Sequence, residues 1–403
     1  MKITQEKLNG KKILIWGYGR EGKSTEKLLL EHCSPAQVDV YEGARDGVHE
    51  DQYDYIFVSP GIKFEEEDPR FTSQTEVFLE EYAPQTVGIT GTKGKSTTSS
   101  MLAHVLNACG RKAFLMGNIG KPSFDYIAEM DEDTIAVYEL SCHQCQRLLV
   151  SPHIAVFLNL YEDHLDRYGT RAKYFEAKKG ITRNQTQEDY LYLGEDVPEL
   201  VTKAQRVLIG RRDISNITLR IPGDHNHLNA EFVYRIAVER FGCDPETVRT
   251  ALGSFNGLPH RLEFAGNIEG IDYYDDSIST IPEATISAAK CVANAYTMLV
   301  GGMDRGIDYT ILVDGIRRRS DLRFILMYAS GKRILEDVKG LPNVMYEEDL
   351  DAALALARKI TPRGKAVILS PAAASYGYFK NFEERGDYFK KVISSFGDKV
   401  PQK

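Results

Sequence analysis

Residues 88–96 read GITGTKGKS: an apolar stub, two glycines in a turn, then a lysine and a serine before a helix-forming stretch. Gly91 and Gly94 let the backbone turn its N–H groups onto phosphate oxygens where a helix begins. Lys95 can neutralise charge on β and γ phosphates, and the Ser96 hydroxyl can ligate magnesium. The common spacing places a glycine five residues before Gly94, where this chain has Ile89, so the loop is a GTxGKS variant. TVGIT before it and TTSSMLAHVLNACG after it supply the strand, turn and helix that a triphosphate loop needs.

Carboxylates gather near this loop at predicted strand ends, where open α/β sheets bind ligands. Glu139 closes IAVYEL, and Glu162, Asp163, His164 and Asp166 follow HIAVFLNL as YEDHLD. Magnesium takes a few oxygen ligands from protein and completes its shell with phosphate, so Ser96 and Glu139 suit one ion and His164 can position a second. Gly17, Gly19 and Gly22 form a separate GxGxxG after an apolar strand, with Glu42 about 20 residues on. Alone, that pattern suggests NAD. The same N–H array serves any diphosphate, however, and the glycines can also serve only tight strand–helix packing. Cys142 and Cys145 form a CxxC around His143, but no second ligand pair accompanies them and packing is the expected role.

The elements that must carry these residues alternate between strand and helix. KKILIWGYGREGKSTEKLLLEHC, VDVYE and YDYIFVSPG open an α/β unit, and the pattern restarts at TVGIT after Pro84. Strands IAVYEL and HIAVFLNL, then helices KYFEAKKGI, LNAEFVYRIAVERF with Gly242 after it, and PETVRTALGSF, fill the middle. After GLPH, a hairpin RLEFAGNIEGIDYYDD leads into YTMLVGG, FILMYA, AVILSPAA and the helix FEERGDYFKKVISSF. The expected fold is α/β with three domains, 1–83, 84–258 and 259–403, the outer two Rossmann-like and the central one of phosphate-loop ATPase type. With 403 residues, 42% hydrophobic, the chain can build several cores. A formal charge of −8 and no extended basic stripe argue against nucleic acid. No apolar run suits a membrane span or a secretory leader, and six cysteines are too few for a disulfide framework. The expected compartment is the cytoplasm.

GTKGKST, ELSCHQ, NLYEDHLDRY, YFEAKKGI, HNHLNA, LPHRLE, DDSISTIPEAT, GGMDRG and SPAAASYGYFKNFEERG follow one another across the whole chain. In this order they resemble the Mur ligase family, most of all its glutamate-adding MurD branch. The resemblance implies an ATP-dependent, acyl-phosphate-forming ligase of peptidoglycan synthesis, and so of cell-wall growth, cell shape and division. It implies a monomer acting on small molecules, UDP-N-acetylmuramoyl-L-alanine, glutamate and ATP, with two magnesium ions. Gly19, Arg20, Glu21, Glu42, Gly61, Asn118, Ser141 and Gln144 would then hold the UDP-sugar. Gly91, Thr92, Lys93, Gly94, Lys95, Ser96 and Thr97 would hold the ATP phosphates, with Asn226 and Asn229 at the adenine and Arg261 and Asp276 at phosphates and ribose. Ser96, Glu139, His164 and a carbamylated Lys178 would bind metal, and Lys95, His164, Lys178 and Arg261 would carry catalysis. A carbamate there makes sense, since an ammonium repels magnesium whereas a carboxylate on a long arm binds it.

Three positions depart from the branch: Ile278 in DDSISTIP and Arg305 in GGMDRG both stand where lysine is common, and the first loop is WGYGREG. All bear on the amino-acid acceptor. Thr280, Arg305, Ser375 and the backbone at Phe382 remain to grip two carboxylates, a guanidinium being able to do so in bidentate fashion. D-glutamate is the expected acceptor, and L-glutamate, used by ligases with similar WGxGREG and DSIxTxP features, is the alternative. An NAD-dependent oxidoreductase is a remote alternative that leaves GTKGKST and YEDHLD unexplained.

Overall fold

The computed structural model describes residues 1–64, 68–161, 165–210 and 218–397. Its strands form three sheets. The first is parallel, in the order Gln37–Tyr41, Lys12–Trp16, Tyr55–Val58, Phe71–Thr72. The second is also parallel: Gln205–Ile209, Tyr190–Gly194, Ile154–Phe157, Thr86–Thr90, Ile135–Glu139, Ala113–Gly117. The third begins with the antiparallel hairpin Glu263–Ile268 and Ile271–Asp275, then continues in parallel through Ala366–Leu369, Ala295–Gly301, Arg323–Met327 and Val344–Glu347. The α/β expectation is met.

Parallel strands covered by helices on both faces read as unbroken apolar runs. Thr86–Thr90, Ile135–Glu139 and Ile154–Phe157 are buried at every residue and were the strands most legible in the chain. The edge strand Gln205–Ile209 buries only its last residue and carries no such signal. The helix read from Leu228 begins earlier, at Asp224, and takes Asn226 and Asn229 into its first turns.

By packing, the chain divides into two compact units, 1–217 with 227–252, and 218–226 with 253–403. Within the first unit, one apolar core runs under the first and second sheets. The helix Gln74–Tyr82, capped by Ser73 accepting from Glu76 N at 3.1 Å, is buried on nearly all sides. Phe78 meets Tyr138 at 5.6 Å and Phe57 meets Phe124 at 6.2 Å, so segments 1–83 and 84–252 share a core. No helix among the described residues is long and apolar enough to cross a membrane.

Candidate functional site

The phosphate loop is held open by backbone geometry that side chains resist. Gly91 has φ +152° and Gly94 φ +82°, and a Cβ on Gly94 would stand 2.7 Å from Asn229 Oδ1. Gly94 caps the helix Lys95–Ala108, placing Lys95, Ser96 and Thr97 on its first turn, where a helix has no carbonyl one turn back to take the N–H groups. Lys95 Nζ curls back to donate to Gly91 O and Thr92 O, both at 3.0 Å. Asn159, just beyond the strand Ile154–Phe157, braces the loop from below. Its Oδ1 accepts from Thr92 N at 3.1 Å and from Lys93 N at 2.9 Å, while its Nδ2 donates to Lys93 O at 3.0 Å.

Glu139 pairs in register with Ile89, one strand over from the loop. It is 0% exposed; Oε1 accepts from Asn118 Nδ2 at 2.7 Å, and Oε2 has no hydrogen-bond partner among the described residues. A carboxylate oxygen buried in this way is costly until something positive meets it, so the donor set fits a cation. Lys178 is 1% exposed, and its Nζ donates to the same Gly91 carbonyl at 2.9 Å that Lys95 uses. The register of the helix Arg171–Lys179 is thereby plain: Lys178 points in, and Lys179 pairs with Glu176 at 2.6 Å on the outside. Glu162, Asp163 and His164 lie outside the described residues, so the expected role of His164 has no geometry. Cys142 and Cys145 are buried free thiols in the core, and His143 Nδ1 lies 2.8 Å from Tyr168 Oη.

In the first glycine loop the three glycines differ. A Cβ on Gly22 would come within 2.2 Å of Gly17 O, and one on Gly17 within 2.8 Å of Ser59, so these two serve close packing. Gly19 has open space around it and caps the helix Arg20–His32. Arg20 donates to Gly120 O, and Glu21 Oε1 accepts from Gln144 Nε2 at 2.9 Å. Gln144 Oε1 in turn accepts from Ser141 N and Ser141 Oγ, both at 2.9 Å. Burial drives the Glu21 carboxyl up to about 7, against the Gln144 hydrogen bond and the Arg20 charge. Arg20, Glu21, Gly120, Ser141 and Gln144 thus form one polar wall continuous with the strand end that bears Glu139, while Glu42 and Gly61 are solvent-facing.

The second unit holds the remaining expected residues. Asp276 is buried, accepts from Ser370 Oγ at 2.7 Å and Leu262 N at 3.1 Å, and is raised to about 6 chiefly by that burial. Exposed Arg261 follows His260, whose φ of +61° is pinned by its Nδ1 meeting Asp275 Oδ2 at 2.7 Å. His260, Glu263 and Asp275 cluster like metal ligands, but the Lys390 ammonium stands 3.0 Å from Glu263 and 3.9 Å from Asp275 and supplies the positive charge itself. Exposed Arg305 donates to Thr280 O at 3.4 Å. Ser375 is buried, and Ser277 Oγ donates to Phe382 O at 2.8 Å.

Residues 89–210 match the Mur ligase middle domain. The chain is 32% identical to a UDP-N-acetylmuramoylalanine--D-glutamate ligase of Aquifex aeolicus, over 95% of this chain and 98% of that one. The chain belongs to the Mur ligase family. It is an ATP-dependent ligase that forms a peptide-type bond, and the oxidoreductase reading of the first glycine loop is not supported. A UDP-N-acetylmuramoyl-L-alanine--L-glutamate ligase of Salinispora tropica is also 32% identical, over 96% of this chain and 98% of its own. The fold is shared with the MurF ligase of Thermotoga maritima, solved with ADP, at 16% identity and TM-score 0.56, covering 98% of this chain and 97% of that one.

Two residues of this Mur ligase escaped the sequence reading. Asn159 stands inside NLYEDHLDRY, where a polar residue directly after an apolar run was its only signal. Arg385 is fully buried; Nε and Nη2 donate to Ser277 Oγ and Ser277 O at 2.9 and 2.8 Å, and Nη1 donates to Ala373 O at 3.1 Å. Desolvation draws it down to about 10. In FEERG no local signal separates it from the other charged residues of its helix.

Proposed function

We propose that this Mur ligase adds D-glutamate to UDP-N-acetylmuramoyl-L-alanine in the cytoplasm, as a monomer of three domains, 1–83, 84–258 and 259–403. The name of the Aquifex relative and the chain-long order of motifs support this reading. One observation carries the chemistry: the fully buried Glu139 oxygen, without a hydrogen-bond partner among the described residues, stands at the strand end beside a loop whose Gly91 carbonyl takes both Lys95 and Lys178.

Joining a carboxylate to an amine is uphill in water, so the muramoyl carboxylate first takes the γ-phosphoryl group of ATP. Transfer of that group asks for alignment and charge neutralisation more than covalent help from protein. The N–H groups at Gly94 to Thr97 hold the phosphates, Lys95 swings from its carbonyls onto the β and γ oxygens, and Arg261 adds a second positive contact. Ser96, Glu139, His164 and Lys178, the last as its carbamate, would hold two magnesium ions, which when bound neutralise charge on the transferring group. Asn226 and Asn229 face the adenine and Asp276 the ribose. Gly19, Arg20, Glu21, Glu42, Gly61, Asn118, Ser141 and Gln144 hold the nucleotide sugar. Thr280, Arg305, Ser375 and the Phe382 backbone orient glutamate so that its amine attacks the acyl phosphate and expels inorganic phosphate.

The test is ATP consumption with UDP-N-acetylmuramoyl-L-alanine and each glutamate enantiomer. Turnover with the D form is expected. Turnover with the L form alone would overturn the acceptor assignment, and none with either would overturn the reaction.

A further inference from the structure

Two arginines outside the set above hold the loop after the strand Tyr55–Val58. Ser59 fastens the start of that loop to the first glycine turn, its N–H donating to Trp16 O at 3.0 Å and its hydroxyl to Gly17 O at 2.8 Å. Two residues on, Arg167 donates from Nη1 to Gly61 O at 3.3 Å and from Nη2 to Ile62 O at 3.2 Å. The Arg147 guanidinium lies 3.8 Å from the centre of the Phe64 ring, and Phe64 packs on Phe71 at 4.4 Å and edge-on to Trp16 at 5.8 Å. Arg147 follows the short helix Cys142–Cys145 and Arg167 sits on Leu165–Tyr168, so both reach across from the second sheet's side of the first unit.

The charge on the two loops makes this placement meaningful. A nucleoside diphosphate is anionic, and on the first loop Glu21 and the nearby Glu42 offset Arg20 and Lys23, so this loop brings no excess positive charge of its own. The partners described for Arg167 are neutral carbonyls, which orient its fork without cancelling its charge. We infer that Arg167 and Arg147 are positioning residues of the nucleotide-sugar site: together they fix Gly61 to Phe64 against the second sheet's side, Arg147 by packing on Phe64, and Arg167 supplies positive charge that the diphosphate meets. The inference rests on the nucleotide-sugar reading of that loop and adds two residues that the family motifs did not assign.

Arg167→Gln keeps a polar side chain but removes the charge and the fork, and Arg147→Leu keeps apolar cover on Phe64. Calorimetric binding of UDP-N-acetylmuramoyl-L-alanine without ATP should weaken about 10- to 100-fold in Arg167→Gln, the range for losing charge-assisted hydrogen bonds, with a smaller loss in Arg147→Leu. Arg167→Lys should recover part of the loss, and the KM for ATP should stay at the wild-type value. Wild-type affinity in Arg167→Gln, or an equal rise in both substrates' KM with a lowered melting temperature, would overturn the assignment. Amide exchange at residues 59–64 reads the clamp independently and should quicken in Arg167→Gln. If even the wild-type protein ignores the nucleotide sugar, the proposed reaction falls, whereas unchanged exchange removes the clamp itself.

Discussion

Replacing Glu139 by glutamine should make the metal-free protein more stable and the enzyme nearly inactive. The side chain is fully buried, one oxygen takes the Asn118 amide at 2.7 Å, and the other has no described partner. Leaving a buried polar atom unsatisfied costs about 1–3 kcal/mol, with charged groups at the upper end. Glutamine still accepts from Asn118 through its carbonyl and exchanges a buried charge for a neutral amide, which is cheaper to desolvate. A net gain of about 1–2 kcal/mol follows, or roughly 2–8 °C in the melting temperature of the compact unit 1–217 with 227–252. Calorimetry in EDTA measures it. Added magnesium with a non-hydrolysable ATP analogue should raise the melting temperature of the wild type much more than that of Glu139→Gln, and ligation should fall at least about 100-fold, as expected when a charge-neutralising ion loses a ligand. A variant less stable than wild type in EDTA, or one with an unchanged magnesium response, would refute the view of Glu139 as a carboxylate waiting for a cation.

Gly22→Ala places a methyl 2.2 Å from Gly17 O and should cost about 1–3 kcal/mol in urea unfolding, whereas Gly19→Ala meets nothing within 4 Å and should cost much less. Burial raises the Glu76 carboxyl from 4.5 to about 7, so the native state keeps a proton that the unfolded chain has lost, and stability falls as pH climbs through that window. Glu76→Gln should therefore flatten the decline in urea midpoint between pH 5 and 8, recovering at most about 3 kcal/mol at pH 8; an unaltered slope would show that Glu76 is ionised throughout. Carbon dioxide removal should lower ligation by the wild type and bicarbonate should restore it, while Lys178→Met should be inactive and indifferent to bicarbonate; a bicarbonate response in that variant would place the carbamate elsewhere.

Much of this protein was legible in its chain because several of its signals are local. A phosphate loop is a short run of backbone conformations, and Gly91 and Gly94 declare it wherever they fall after an apolar strand and before a helix. Strands buried on both faces announce themselves as continuous apolar runs, and the alternation of strand and helix sets the α/β class. Edge strands such as Gln205–Ile209 stayed hidden because half-exposed residues break the run.

What depends on distant residues meeting was decided only in three dimensions. Neighbouring lysines 178 and 179 are equivalent in the chain; packing of their helix buries one against the Gly91 carbonyl and leaves the other on Glu176. GxGxxG fitted a dinucleotide as well as any diphosphate, and the contacts of Arg20 with Gly120 and Glu21 with Gln144 join it to the strand end of Glu139. Asn159 and Arg385 owe their roles to carbonyls and amides far away in sequence. Residue type and spacing therefore determined which chemistry the chain can host, through local backbone geometry, whereas desolvation and long-range hydrogen bonding, which exist only in the folded state, decided which side chains are in place to perform it.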